Sequence, residues 1–424
     1  FLYITIYKLS LNKIRFLKKK DFQIQIDRIN FWHNYYKLAK IENNNFNSII
    51  YGLRILKNLE KNSNFELFNS LMSEVSNLLL KEKFSEEAKV LPLMFEEDSA
   101  DLKNLIQERS ELLKKINFED DLEIKIDNRN KNKPKISIIV SLFKAENKME
   151  KFLNLLNQQS VDLTGGKVEV ILIDSLSPQN ELGVYEKFLN KYNINSIYFK
   201  AKKTETIQKT WNRGILKSRG EYLVFLGVDE TLQANALEKL SNYLDNNLKI
   251  DWVVGNTIVM NLDKNNYYKN DVMKHIRDDA KKELTYLETC YTFWVGGMYR
   301  KSIHERFGYY DSTFRVAGDT EFKSRILKFI NVAYISENLG IFLNYPDERK
   351  SESPLAEIED LRAWYLYRTV QGIDYQFEKY DIKQLKNFFY ENFVYRKSYS
   401  TELSYDFNYF YNFIKLINQR SGGK

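Results

Sequence analysis

Trp211-Asn212-Arg213-Gly214, followed by Ser218-Arg219-Gly220-Glu221-Tyr222-Leu223-Val224-Phe225-Leu226-Gly227-Val228-Asp229-Glu230, is the stretch that decides the fold. It reads as a polar helix, a glycine turn, an apolar strand and an acidic pair. Tyr222 to Leu226 is apolar at consecutive positions, the pattern of a strand covered on both faces, and such strands belong to parallel sheets. Open α/β sheets bind ligands beyond the carboxyl ends of their strands. Asp229 and Glu230 therefore emerge where a metal-bound diphosphate would sit.

Working outward, strands and helices alternate. Strands are expected at Ile136 to Val140, Val168 to Ile173, Ser196 to Phe199 and Tyr222 to Leu226. Helices are expected at Lys148 to Gln159, Glu181 to Lys191 and Thr206 to Lys217. Such alternation implies parallel crossovers and a doubly wound, mainly parallel sheet. Twelve of the 16 glycines and four of the five prolines fall between Pro134 and Pro354, which marks this stretch as the turn-rich part. The polar run Asp127 to Pro134 reads as a linker leading into it.

Both flanks read as helical. Upstream, Phe31-Trp32-Tyr35-Tyr36-Leu38, Ile49-Ile50-Leu53-Leu56-Leu59 and Phe68-Leu71-Val75-Leu78-Leu79 recur near helical spacing and suggest antiparallel hairpins. Downstream of Pro354 the chain is rich in Tyr and Phe beside Arg396, Lys397 and Lys415. That face suits either a membrane surface or protein partner, or packing within the molecule. Three domains are expected: a helical region over 1–130, an α/β domain over 131–354 and a helical, aromatic-rich region over 355–424.

Composition narrows the chemistry. With 424 residues, 43% hydrophobic, the chain is long enough for more than one core. A net charge of +7 on 64 basic and 57 acidic residues gives no concentrated basic patch, so a nucleic-acid partner is not expected. One cysteine, Cys290, excludes an intrachain disulfide framework and points to the cytoplasm, with peripheral attachment at the inner face of the membrane as the variant. Three widely spaced histidines, His33, His275 and His304, leave any metal to carboxylates. The opening Phe1 to Tyr7 is apolar but is broken by Lys8, Lys13 and Arg15, well short of the roughly 20 residues of a spanning helix. Lacking an initiator methionine, the sequence reads as a fragment.

The segments Ile136 to Glu146, Val170 to Ser175, Asn212 to Glu230 and Val295 to Arg325 together resemble a family 2 glycosyltransferase of the GT-A fold, across roughly residues 135 to 350. That resemblance implies a nucleotide-sugar donor, UDP-linked by preference, and a divalent cation, manganese or magnesium. It also implies a glycan or lipid-linked acceptor, with inversion at the anomeric carbon. Ser141, Phe143 and Glu146, in the loop expected after the first strand, and Asp174, at the end of the second, take the positions that hold base and ribose. Asp174 alternatively caps a helix ahead of Pro178. Thr206, Asn212 and Arg213 lie in the neighbourhood the family uses near the nucleotide. Arg213 equally suits a surface pair with Glu205 or Glu221.

The family's Asp-x-Asp motif corresponds here to Gly227-Val228-Asp229, so Asp229 keeps the metal-ligand position while the first aspartate is missing. Alternatively Asp229 and Glu230 form a solvated turn. Trp294, Gly296 and Gly297 match an acceptor-side loop, in which the tryptophan stacks on a pyranose and the glycines let backbone amides approach a sugar or phosphate. A core tryptophan beside a structural turn fits as well. Asp319 occupies the place of the catalytic base, with Gly318 where the family carries a glutamate. Glu321 and Arg325 either orient base and acceptor or pair with each other at four residues' spacing. Two other functions stay open. One is a nucleotidyltransferase, although Ser141 to Glu146 lacks a glycine-rich phosphate loop. The other is an inactive scaffold that works through its helical flanks.

Overall fold

The computed structural model describes residues 29–59, 65–93, 95, 100–116, 121–262, 268–274, 295–327, 329–345 and 354–364. The chain divides into two compact units, one of residues up to 102 with 354–362, the other of residues 103–353 with those after 362. The first unit is helical, with helices over 29–41, Asn45–Asn58, Phe65–Lys81, Ser85–Leu93 and Pro354–Trp364, the last ending just beyond it. Of the apolar positions that predicted these helices, Trp32, Tyr36, Ile49, Leu53, Leu56, Phe68, Val75 and Leu79 are buried, whereas Phe31, Tyr35 and Leu38 are exposed. The aromatic stretch beyond residue 364 lies outside the described residues.

The second unit is built on ten strands: β1 Leu122–Asp127, β2 Ile136–Leu142, β3 Val168–Asp174, β4 Ser196–Ala201, β5 Tyr222–Leu226, β6 Glu230–Leu232, β7 Trp252–Leu262, β8 Tyr268–Lys274, β9 Gly297–Arg300 and β10 Val332–Asn344. They form one sheet in the order β1-β4-β3-β2-β5-β9-β7-β10-β6, with β8 on β7. The α/β architecture read from the sequence is the one observed. The ladders β4-β3-β2-β5 and β7-β10 are parallel, whereas β1, β6, β8 and β9 join antiparallel. The sheet starts before the polar run, because β1 pairs with β4.

Alternation along β2 explains the two layers. Ile136, Ile138, Val140 and Leu142 pack with Met149, Phe152, Leu153 and Leu156 of the helix Glu146–Leu156 and with Tyr185 and Phe188 of the helix Glu181–Leu189. Ile139 points the other way, into a cluster with Ile215, Leu223, Trp252, Tyr299 and Phe322. Successive side chains of a strand face opposite sides, so a strand apolar throughout must be covered twice.

One polar device sets the amino-end register of β2, β3 and β5. Glu169, fully buried in β3, accepts from Ser137 Oγ at 2.6 Å, from the Arg219 backbone N–H at 2.6 Å and from Arg219 Nε at 2.8 Å. Ser137 Oγ in turn accepts the Gly220 N–H at 2.9 Å. The turn before β5 is thereby tied to both neighbouring strands. Glu169→Ala removes a buried carboxylate that several donors share and is expected to lower the unfolding free energy by roughly 3 kcal/mol in a urea titration. A change within about 0.5 kcal/mol, the usual range for a surface substitution, would show that the clamp is dispensable.

Candidate functional site

The carboxyl edge of β2 and β3 is knitted into one surface. β2 runs to Leu142 rather than ending at Val140, because Ser141 and Leu142 stay in register with Ile173 and Asp174. Ser141 therefore lies in the strand, the loop starts at half-exposed Phe143, and Glu146 opens a helix. Lys144 N–H bonds Ser177 Oγ at 3.0 Å, Ala145 N–H bonds Glu181 Oε1 at 2.7 Å, and Glu146 Oε2 accepts the Asn180 N–H at 2.9 Å. Asp174 is buried at the tip of β3. One of its oxygens accepts the Ser177 N–H at 2.6 Å; the other accepts Tyr198 OH at 3.2 Å and lies 3.3 Å from Lys200 Nζ. Asp174 shapes its own turn, while Asn180 caps the helix that follows. Ser141, Phe143, Glu146 and Asp174 meet at one edge.

The helix Ile207–Lys217 is different. Thr206 caps it by accepting the Lys209 N–H, and its hydroxyl donates to Ser312 O at 3.4 Å. Asn212 is fully buried and uses both ends of its amide on one residue: Nδ2 donates to Tyr310 O at 2.8 Å, and Oδ1 accepts the Tyr310 N–H at 2.9 Å. Arg213 is buried in a fork on Glu205, at 2.6 and 2.7 Å, and also reaches Asp121 at 2.5 Å. The structure employs all three as internal fasteners. Of the two pairings weighed for Arg213, the one with Glu205 forms, in the interior rather than at the surface.

Downstream, Glu321 and Arg325 are buried and paired on their helix, Gly318–Ile326, at 2.7 Å. Arg325 also donates to the carbonyl of Phe307 and, at 2.6 Å, to that of Tyr309. They pin the turn before Asp319. Gly296, at φ +82°, packs so tightly that a Cβ on it would stand 2.5 Å from the backbone nitrogen of Gly340. Its close approach is to a neighbouring strand, and Gly297 opens buried β9 behind it. Trp294 lies outside the described residues.

The acidic centre is assembled from distant segments. Asp229 sits half-buried in the turn after β5, its carbonyl accepting the Leu343 N–H at 2.7 Å; Val228 shares that turn, and Glu230 begins β6 opposite Phe342. A Cβ on Gly227 would lie 2.5 Å from Asp229 Oδ1, so the carboxylate folds back over the residue where the motif lacks its first aspartate. Glu230 Oε2 accepts the Gly227 N–H at 2.7 Å. Burial pushes the Glu230 carboxyl up to about 8, with the charges of Asp229 and then Asp319 adding to the rise. Asp319, in the first turn of its helix, is half-exposed, 3.2 Å from Lys323 Nζ. The two aspartates singled out from the sequence thus act on one carboxyl.

Two residues missed in the sequence join them. Lys148 Nζ stands 4.0 Å from the Tyr345 ring centroid, and the charge of Asp229 acts on both groups. Lys148 lay within a segment read as helix, and Tyr345 arrives only through the pairing of β10 with β6. Among the described residues no three His, Cys, Asp or Glu side chains are grouped closely enough to hold a metal alone. Asp229 nevertheless fits magnesium or manganese as one oxygen ligand beside diphosphate oxygens and water. The mutual repulsion of these carboxylates is what a cation would relieve.

Residues 137–308 match the Glycosyl transferase family 2 model. This segment is a family 2 glycosyltransferase domain. A cholesterol galactosyltransferase from Borreliella burgdorferi is 27% identical over 111 residues, 26% of this chain. The match spans 29% of that relative's length. S. aureus TarS 1-349 in complex with UDP-GlcNAc is similar at 15% identity and a TM-score of 0.45, covering 68% of this chain and 89% of that one. S. aureus TarS 1-349 without a named ligand gives 16% identity and 0.43 over the same shares. Among the described residues, no helix is long and apolar enough to cross a membrane.

The raised Glu230 sets a direction for pH. A carboxyl that binds its proton more tightly folded than unfolded contributes stability that is fully present below its ordinary value of 4.5 and is lost as pH rises towards about 8. Without added metal, the wild type is expected to lose melting temperature across that window. Glu230→Gln should decline less and melt higher at about pH 8.5. Parallel melting curves for the two proteins would contradict the assignment.

Proposed function

We propose that the chain is a metal-dependent, inverting glycosyltransferase that moves a sugar from a nucleotide-sugar donor, UDP-linked by preference, to a hydroxyl of a glycan, glycolipid or surface polysaccharide. The observation that carries this is that the charges of Asp229 and Asp319, from separate segments of the chain, both act on the carboxyl of Glu230. Direct displacement needs a counter-charge for a departing diphosphate and a carboxylate to take a proton, at one place. The family 2 domain supports the same reading.

The donor's base would lie at the edge formed by Phe143 and Asp174. Asp174, held by Ser177, Tyr198 and Lys200 at the end of β3, would offer its carboxylate to a ring N–H such as that of uracil. Asp229 would hold the cation, which when bound would stabilise the charge of the leaving diphosphate. Lys148 places a second positive charge beside Asp229. Asp319 takes the proton as the acceptor oxygen bonds to the anomeric carbon. The bond from that carbon to the diphosphate breaks in the same displacement, which inverts the centre.

Asp319→Asn is expected to lower UDP release from a donor sugar by about 10²–10⁴-fold while UDP still raises the melting temperature. Turnover equal to wild type would sink the base assignment. Asp229→Ala should lose the part of the UDP-induced thermal shift that depends on manganese. A shift that stays equally metal-dependent would show the ligand to be elsewhere. No response of the wild type to UDP, UDP-glucose, UDP-galactose or UDP-N-acetylglucosamine, with or without manganese, would favour a scaffold over an enzyme.

A further inference from the structure

Gln208 lies one turn before Asn212 on the Ile207–Lys217 helix and is 1% exposed. Its Cγ, Cδ and Nε2 stand 2.2, 2.6 and 2.6 Å from the point that a Cβ on Gly318 would occupy. Any side chain at 318 would meet the middle of an enclosed side chain, not a mobile tip. Glycine at 318 and glutamine at 208 are therefore a fitted pair. The amide rests against the residue that precedes Asp319.

Among the described residues, that fit leaves the Gln208 Oε1 buried with no hydrogen-bond partner. Folded proteins rarely leave a buried acceptor without a donor, because the group has given up water and gained nothing in exchange. Its neighbours on the helix are differently placed: Thr206 is engaged with Lys209 and Ser312, and Asn212 with Tyr310 at both ends. Gly318 is the neighbour of Asp319, so the Gln208 amide lies beside the place where the proposed displacement puts the transferred sugar.

We infer, on the glycosyltransferase reading above, that the Gln208 carboxamide oxygen accepts a hydroxyl proton from the transferred sugar and so selects among donors. A site built around an acceptor disfavours a ligand that brings no donor to it. Gln208 is then a specificity-determining residue, and Gly318 makes the space it needs.

The test is calorimetry on the full chain with manganese, using UDP, UDP-glucose, UDP-galactose and UDP-N-acetylglucosamine as probes. Wild type is expected to bind at least one UDP-sugar more tightly than UDP. Gln208→Leu keeps bulk over Gly318 but removes the acceptor. It should weaken that UDP-sugar by about tenfold, leave UDP within about twofold, and melt no lower than wild type. Gln208→Met repeats the test with a flexible apolar chain should the leucine variant fold poorly. An unchanged ratio of UDP-sugar to UDP affinity in either folded variant overturns the inference, as does an equal loss for UDP itself, which would mark a purely structural role. A wild type that binds UDP but no UDP-sugar more tightly also overturns it. A wild type that binds no nucleotide strikes at the transferase reading and takes this inference with it.

Discussion

Asn212 holds the two halves of the site in one frame. Its carboxamide satisfies the backbone N–H and C=O of Tyr310 at once, in the interior, where either group left without a partner would be costly. The helix Ile207–Lys217 is thus fixed to the segment that leads towards Asp319. Arg325, bonded to the carbonyls of Phe307 and Tyr309, fixes that same segment from the other side. Both contacts act on the segment that leads into the helix carrying Asp319.

Within that frame the site is under electrostatic tension. Burial and the charges of Asp229 and Asp319 all raise the Glu230 carboxyl, so the folded chain alone disfavours a further negative charge there. Such tension is a common mark of binding and catalytic centres, where a ligand completes what folding leaves unfinished. The two glycines at departures from the family motif belong to the same pattern. Over Gly227 lies the Asp229 carboxylate, and over Gly318 lies the Gln208 amide. In each case a polar group from elsewhere occupies the room.

The alternation of strands and helices was legible because burial on both faces leaves a plain mark, runs of five to seven mostly apolar residues between turns. Asp229 and Asp319 were legible because each closes such a pattern or opens a helix. The pairs Arg213 with Glu205 and Glu321 with Arg325 were legible as alternatives, but their burial was not, nor was the reach of Arg213 to Asp121 and of Arg325 to the carbonyls of Phe307 and Tyr309. A buried arginine fork on Glu205 and an exposed one awaiting phosphate have the same local sequence. Gly296 is a related case: a glycine marks close approach without saying what approaches, and in the folded chain the backbone of Gly340 packs against it.

By itself, then, the sequence determined the parallel core, the edge at which carboxylates emerge, the helical character of the amino-terminal flank and the family of the central domain. These rest on local periodicity and on short motifs that the chain carries in order. Tertiary structure alone decided which polar side chains are spent inside and which stay at the carboxyl edge of the sheet. It brought Asp319 to Glu230, Tyr345 to Lys148 and Gln208 to Gly318. Those meetings depend on strand order and on contacts between residues far apart in the chain, and no window of sequence contains both partners.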